Sequence, residues 1–181
     1  MQMSLLKEIR SRMKELIAMP KTEIRPVKFD DCYTLAEIDV SVGCIGEAFK
    51  PSPLPHWDHN AFVRAMNDNK TQIIVAQFGN KPIGYLVTRK VSRTKIAIDR
   101  IAVDVFYRRR NVGTELLCDL IQEAYVGEAV RKIQCIVPER NLEMQVFLRA
   151  NGFLAKSVIR SEIGGDDRFS FEVSIPSCVG A

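Results

Sequence analysis

Apolar and polar positions alternate along this chain in two rhythms. In residues 1–19, Leu5, Leu6, Ile9, Met13, Leu16 and Ile17 fall on one helical face, Lys7, Glu8, Arg12, Lys14 and Glu15 lie mostly opposite, and Pro20 ends the helix. Thr22–Val27 reads as a strand. A helix carrying Leu35, Ile38 and Val42 follows, capped by Asp30 or Asp31. Gly43, Gly46, Pro51, Pro53 and Pro55 interrupt the pattern until a second helix starts near Asp58 and runs through Phe62, Val63 and Met66. Gln72–Phe78 and Pro82–Arg89 are apolar strands joined by Gly79-Asn80-Lys81, a hairpin.

The centre of the chain combines both rhythms. Ile96, Ile98, Ile101, Val103 and Val105 form a β-branched run that predicts a strand. Arg108, Arg109 and Arg110 make a basic turn. From Asn111 the spacing is helical, with Val112, Leu116, Leu117, Leu120 and Ile121 on one face. Lys132–Val137 is a further strand, and Leu142–Ala150 a short helix stopped at Asn151-Gly152. Val158–Glu162 and Phe169–Ile175 are the last strands, with Gly164-Gly165-Asp166 between them.

A strand that turns into a helix whose first turn holds Gly113 and Thr114 makes an anion site. The first N–H groups of a helix have no partners within it, and the helix dipole adds positive potential there. Three arginines beside that end favour a phosphate-bearing ligand.

Composition narrows the picture. At 181 residues, 46% hydrophobic and 27% charged, the chain suits one globular domain with a sizeable core. A net charge of +4 is too mild for a dedicated nucleic-acid binder, so no nucleic-acid partner is expected. The five cysteines, Cys32, Cys44, Cys118, Cys135 and Cys178, are odd in number, scattered, and without a C-x-x-C pair. That argues for reduced thiols in the cytoplasm rather than disulfides or zinc. His56 and His59 lack a third ligand, so no metal is expected. No apolar run is long enough to span a bilayer and no signal peptide is visible, so no membrane partner is expected either. There is no G-x-G-x-x-G after a strand, no P-loop and no zinc-deaminase signature.

Two motifs resemble the GNAT superfamily of N-acetyltransferases. Arg108-Arg109-Arg110-Asn111-Val112-Gly113 is similar to that family's pyrophosphate loop, Arg/Gln-x-x-Gly-x-Gly/Ala, with Asn111 in place of the first glycine. Asn tolerates left-handed backbone better than most residues. Asn141, Phe147, Gly152 and Phe153 fit a second family pattern, in which the usual tyrosine falls on Leu148. The element order also resembles the GNAT fold over residues 20–176. The resemblance implies an α/β protein with a mixed, mostly antiparallel sheet of about seven strands flanked by helices. Residues 1–19 would add an extra helix, docked on the domain or offered to a partner such as a second copy of the chain, and residues 177–181 a tail.

The resemblance further implies an enzyme that moves an acetyl group from acetyl-CoA, by direct attack, to an amine: a protein N-terminus, a lysine or a small molecule. Arg108–Thr114 (Arg108, Arg109, Arg110, Asn111, Val112, Gly113 and Thr114) would hold the diphosphate. The peptides of Ile101, Ala102 and Val103 would hold the pantetheine arm, with Asn141 and Phe147 beside it, although Asn141 also suits a plain N-cap. Strict alternation puts Ala97, Asp99, Ile101 and Val103 on one face. Asp99 is the candidate base, one pleat period from the Glu that some members carry where this chain has Ala97; a pair with an arginine is its structural alternative. Glu47 is a weaker choice. His56 and Trp57 are candidate substrate contacts. Leu148 has no proton to give, so an acyl-CoA-binding domain without turnover is the alternative function.

Overall fold

The computed structural model describes residues 22–44, 56–127, 129–161 and 167–176. The leading helix expected over residues 1–19, the loop holding Glu47, the turn at 164–166 and the tail 177–181 lie outside the described residues.

Among the described residues seven strands form one sheet: β1 (Glu23–Pro26), β2 (Thr71–Phe78), β3 (Lys81–Ser92), β4 (Lys95–Val103), β5 (Lys132–Pro138), β6 (Leu154–Ile159) and β7 (Arg168–Ser174). Their order across the sheet is β1-β2-β3-β4-β5-β7-β6. All neighbours are antiparallel except β4 and β5. The helices are α1 (Asp31–Cys44), α2 (His59–Met66), α3 (Val112–Val126) and α4 (Leu142–Ala150), with a 3-10 turn at Val105–Tyr107. Among the described residues no helix is long and apolar enough to cross a membrane.

The sheet separates two cores. On one face α1 and α2 bury Leu35, Ile38, Phe62, Val75, Tyr85, Val87 and Ala102. On the other, α3 and α4 bury Ile74, Leu86, Ile98, Leu116, Leu117, Leu120, Leu148 and Phe153. Leu116 and Leu117 are fully enclosed, as the three- and four-residue spacing of the helix demands. Each such side chain contributes about 1.5–3 kcal/mol through its removal from water.

Asp58 caps α2, its side chain accepting from the Ala61 N–H at 2.7 Å. Asp31 instead turns backwards: its carboxylate takes Arg25 in a fork at 2.7 and 2.8 Å and the Lys28 N–H at 2.7 Å. The next-to-last strand starts at Leu154, four residues before the position the sequence suggests. It is an edge strand, paired only with β7 and mostly exposed, so its Lys156-Ser157 stretch carries no alternating signal. Val105 leaves the central strand for the 3-10 turn, whose start is held by Asp104 accepting from the Phe106 N–H.

One correction changes the chemistry. In the β3–β4 register, Thr88 faces Ile98 and Val87 faces Arg100, so Asp99 is the extra residue of a bulge. Alternation therefore reverses there. Ile96, Ile98, Ile101 and Val103 all pack toward α3, while Ala102 packs toward α1 and α2. Asp99 and Ile101 are not on one face.

Candidate active site

Strands β4 and β5 part company at the bulge. Their parallel pairing runs from Lys95 opposite Lys132 to Ile98 opposite Cys135 and stops. Both strands continue, β4 to Val103 against β3 and β5 to Pro138 against β7. The result is a wedge open toward the ends of both strands. Among the described residues the β4 edge of Ile101–Val103 has no strand across it, so its backbone groups on that side, apart from the Val103 carbonyl that Arg108 takes, can meet a ligand laid along it. Cys135 sits at the apex, and burial, helped by the Asp99 charge, pushes its thiol up to about 12.

At the mouth of the wedge, the chain from Arg108 to Asn111 alternates in φ. Arg108 has −65°, Arg109 +61° and Asn111 +64°, with Arg110 between them not in the positive region. Left-handed residues at Arg109 and Asn111 on either side of Arg110 give the alternation with which successive N–H groups can turn toward a common centre, as in an anion nest. Asn111 takes the left-handed conformation that the glycine-less loop requires, and its side chain does not cap α3. The first-turn N–H groups of α3 are thus not consumed by that cap. Gly113 lies against Phe147 so closely that a Cβ would sit 3.1 Å from the ring's Cζ. The nest and the uncapped helix end fit a diphosphate, and Gly113 lets the Phe147 ring rest against the first turn of α3.

The three arginine side chains fan out around this backbone. Arg108 folds back, its Nε donating to the Val103 carbonyl at 3.2 Å and closing the end of β4. Arg110 lies over the Tyr107 ring at 5.7 Å. Arg109 is solvent-facing and 4.0 Å from Glu143, a pair of little energetic weight. Backbone amides therefore form the cradle, with the guanidinium groups supplying potential around it.

Other expected site residues are placed as follows. Asn141 Oδ1 accepts from the Met144 N–H at 3.1 Å, so its oxygen caps α4. Leu148, where the family tyrosine falls, is fully buried in the core and does not line the wedge. Asp99 accepts from Arg89 at 2.9 and 3.1 Å, one bond to each oxygen. Both oxygens of this carboxylate are engaged by the guanidinium, and this pairing speaks against Asp99 as the free base. Its partner is Arg89, on the neighbouring strand β3 opposite Ala97, which is the arginine pair the sequence allowed. Trp57 is half-buried with its edge on Phe62. The Arg100 guanidinium lies 4.9 Å from the Trp57 ring centre, so that face of the indole stacks on Arg100 rather than on a substrate. His59 stacks on Tyr33 with ring centres 3.8 Å apart.

The sequence reading missed a polar cluster on the α1/α2 face. Asp39, buried on α1, accepts from Arg100 at 2.9 and 3.1 Å, from the Trp57 N–H at 2.7 Å and from the Tyr85 hydroxyl. His56 Nδ1 stands 3.6 Å from the same carboxylate. Burial, and behind it the Asp39 charge, hold the Tyr85 phenol far above its ordinary value, so it stays a donor. Two signals were available: Asp39 follows Leu35 by four on the apolar face of its helix, and Asp99-Arg100 interrupts an apolar strand.

Comparison with known proteins bears on this geometry. No curated protein matches the chain. Among solved structures, the ribosomal-protein-S18-alanine N-acetyltransferase of Escherichia coli superposes with a TM-score of 0.69 at 20% identity, covering 88% of this chain and 97% of its own. The yncA protein of Salmonella typhimurium, solved with its cofactor acetyl-CoA, gives 0.70 at 14% identity, over 89% and 98%. NAA60 of Arabidopsis thaliana, in complex with a bisubstrate analogue, gives 0.67 at 14% identity, over 87% and 99%. At these identities the likeness is one of fold. The sequence model of the acetyltransferase (GNAT) family, however, matches residues 30–153, from the start of α1 to the end of the second motif. With the parted strands, the anion nest at α3 and that match in agreement, the chain belongs to the GNAT family of acetyltransferases.

Proposed function

We propose that this protein transfers an acetyl group from acetyl-CoA to a primary amine of a protein N-terminus, a lysine or a small molecule. The observation that carries the reading is the nest of Arg108–Asn111 leading into α3 at the mouth of the β4/β5 wedge. The amides of that turn, with Val112, Gly113 and Thr114, would hold the diphosphate. The open edge of Ile101, Ala102 and Val103 would take the amide groups of the pantetheine arm, and Phe147 would flank it. A backbone N–H on that edge would stabilise charge on the carbonyl oxygen. The coenzyme supplies an acetyl thioester. The similarity to an alanine N-acetyltransferase and to NAA60 supports an amine as acceptor.

Direct attack fits the residues present. Cys135, the thiol at the wedge apex, is protonated at neutral pH and is a poor relay for the acetyl group. The departing thiolate needs no acid from Leu148, since a thiol of pKa about 8.5 leaves as an anion near neutrality. Calorimetry with acetyl-CoA tests the binding: micromolar affinity is expected, and no heat would remove the reading. Thiol release across peptides with free N-termini, lysine peptides and polyamines then identifies the acceptor.

A second reading, a coenzyme-binding domain without turnover, is favoured by one observation, the apolar residue at position 148. Binding without thiol release across the whole panel would select it.

A further inference from the structure

We propose that His56 is the general base of this transfer and that Asp39 positions it, with the amine entering from the α1/α2 face; this rests on the acetyl-transfer reading above. The two sides of the wedge carry different chemistry. The nest, Gly113 and Phe147 lie with α3 and α4. The bulge at Asp99 turns Arg100 to the opposite face, where it meets Asp39 and Trp57. A coenzyme held on the first side would leave its acetyl group to be approached from the second, the side on which His56 lies beside the Asp39–Arg100 pair.

Asp39 is built to hold an imidazole. Its carboxylate is fixed by a backbone N–H, a buried phenol and a guanidinium stacked on an indole. Of those partners Tyr85 is fully buried in the core. Among the described residues its further neighbour is the His56 ring, whose side chain is 43% exposed. Asp39 stands 3.6 Å from Nδ1, just outside hydrogen-bond range; a small closure there would place the proton on Nδ1 and leave the Nε2 lone pair on the other side of the ring. An acid that orients a base, which in turn accepts from the nucleophile, is the arrangement general-base catalysis requires. Asp99, the other acidic group near the bulge, is committed to Arg89.

In the step itself, the amine nitrogen passes one proton to His56 Nε2. Its lone pair forms the bond to the acetyl carbon, and the carbon–sulfur bond breaks with its electron pair on sulfur. The proton on His56 then passes to the thiolate or to water. A purely structural Asp39 would hold α1 to β3 and β4 and leave His56 without a role, and the two are separable by experiment.

The chain has two histidines, so long-range proton–nitrogen correlations of the imidazoles are simple to read, with His56→Gln assigning the signal. With the ring neutral, His56 is expected to carry its proton on Nδ1, a bias weakened in Asp39→Asn. A proton on Nε2 in the unaltered chain overturns the proposal. Thiol release from acetyl-CoA with water as acceptor provides a second measurement. His56→Gln is expected to slow it by on the order of 10²-fold while calorimetric affinity for acetyl-CoA stays within about twofold. Equal release at equal affinity overturns the proposal, even if Asp39→Asn does not fold. Failure of the unaltered chain to bind acetyl-CoA would instead remove the transferase reading on which this one stands.

Discussion

The ring of Phe147 lies on Gly113, so near that one added methyl group would meet it at 3.1 Å. A residue of α4 thus rests on the first turn of α3, beside the amides that face the wedge. Gly113→Val should push the ring aside and crowd the cradle, lowering acetyl-CoA affinity by about tenfold or more, a loss of about 1.4 kcal/mol. Gly113→Ala should do so less, because the far edge of a ring can yield by a few tenths of an ångström. Calorimetry on the two variants reads the order.

Asp99 and Arg89 form a fork at the sheet surface. Asp99→Asn should therefore change thiol release by less than about threefold, whereas loss of a general base costs on the order of 10²–10⁴. Steady-state rates at saturating acetyl-CoA separate the two.

Leu148 is enclosed in the core. Leu148→Tyr should not raise turnover. It should destabilise by about 1–3 kcal/mol through overpacking, with a further cost if the hydroxyl finds no partner. Thermal melting shows a lower midpoint if this holds, and an unchanged midpoint with faster turnover contradicts it.

Cys118 is exposed, whereas Cys135 is buried with its thiol held up to about 12. Alkylation at neutral pH should label Cys118 well before Cys135. Cys135→Ala should keep acetyl transfer, and intact-mass measurement during turnover should show no acetylated cysteine.

Asp31 and Arg25 tie α1 to β1. Burial works against the Asp31 charge, but the Arg25 hydrogen bonds, the Lys28 N–H and the nearby positive charges outweigh it and hold the carboxyl below its ordinary 3.8. A lowered folded-state value contributes stability that is present above 3.8 and is lost as pH falls through the folded value. The melting midpoint should fall as pH drops below about 4, and Asp31→Asn should flatten that part of the fall.

Local order alone was enough to read most of the described elements, though not the edge strand at Leu154–Ile159. Alternation over Gln72–Phe78 and helical spacing over Val112–Ile121 are properties of neighbours in the chain, and both elements form. So is the anion turn: it needs only a strand end, a residue tolerant of positive φ at position 111, and a helix start without a side-chain cap. These are backbone features, and they survive wherever the tertiary structure puts them.

Packing decided the rest. The bulge at Asp99 comes from fitting β4 against β3, and it reverses which side chains share a face. Asp99 was thereby given to Arg89, and Arg100 to an aspartate 61 positions earlier. The sequence by itself determined that the chain would make a strand, an anion-binding turn and a helix in that order. Only the folded sheet decided which charges would meet, because a buried carboxylate takes whichever donor the register brings within reach.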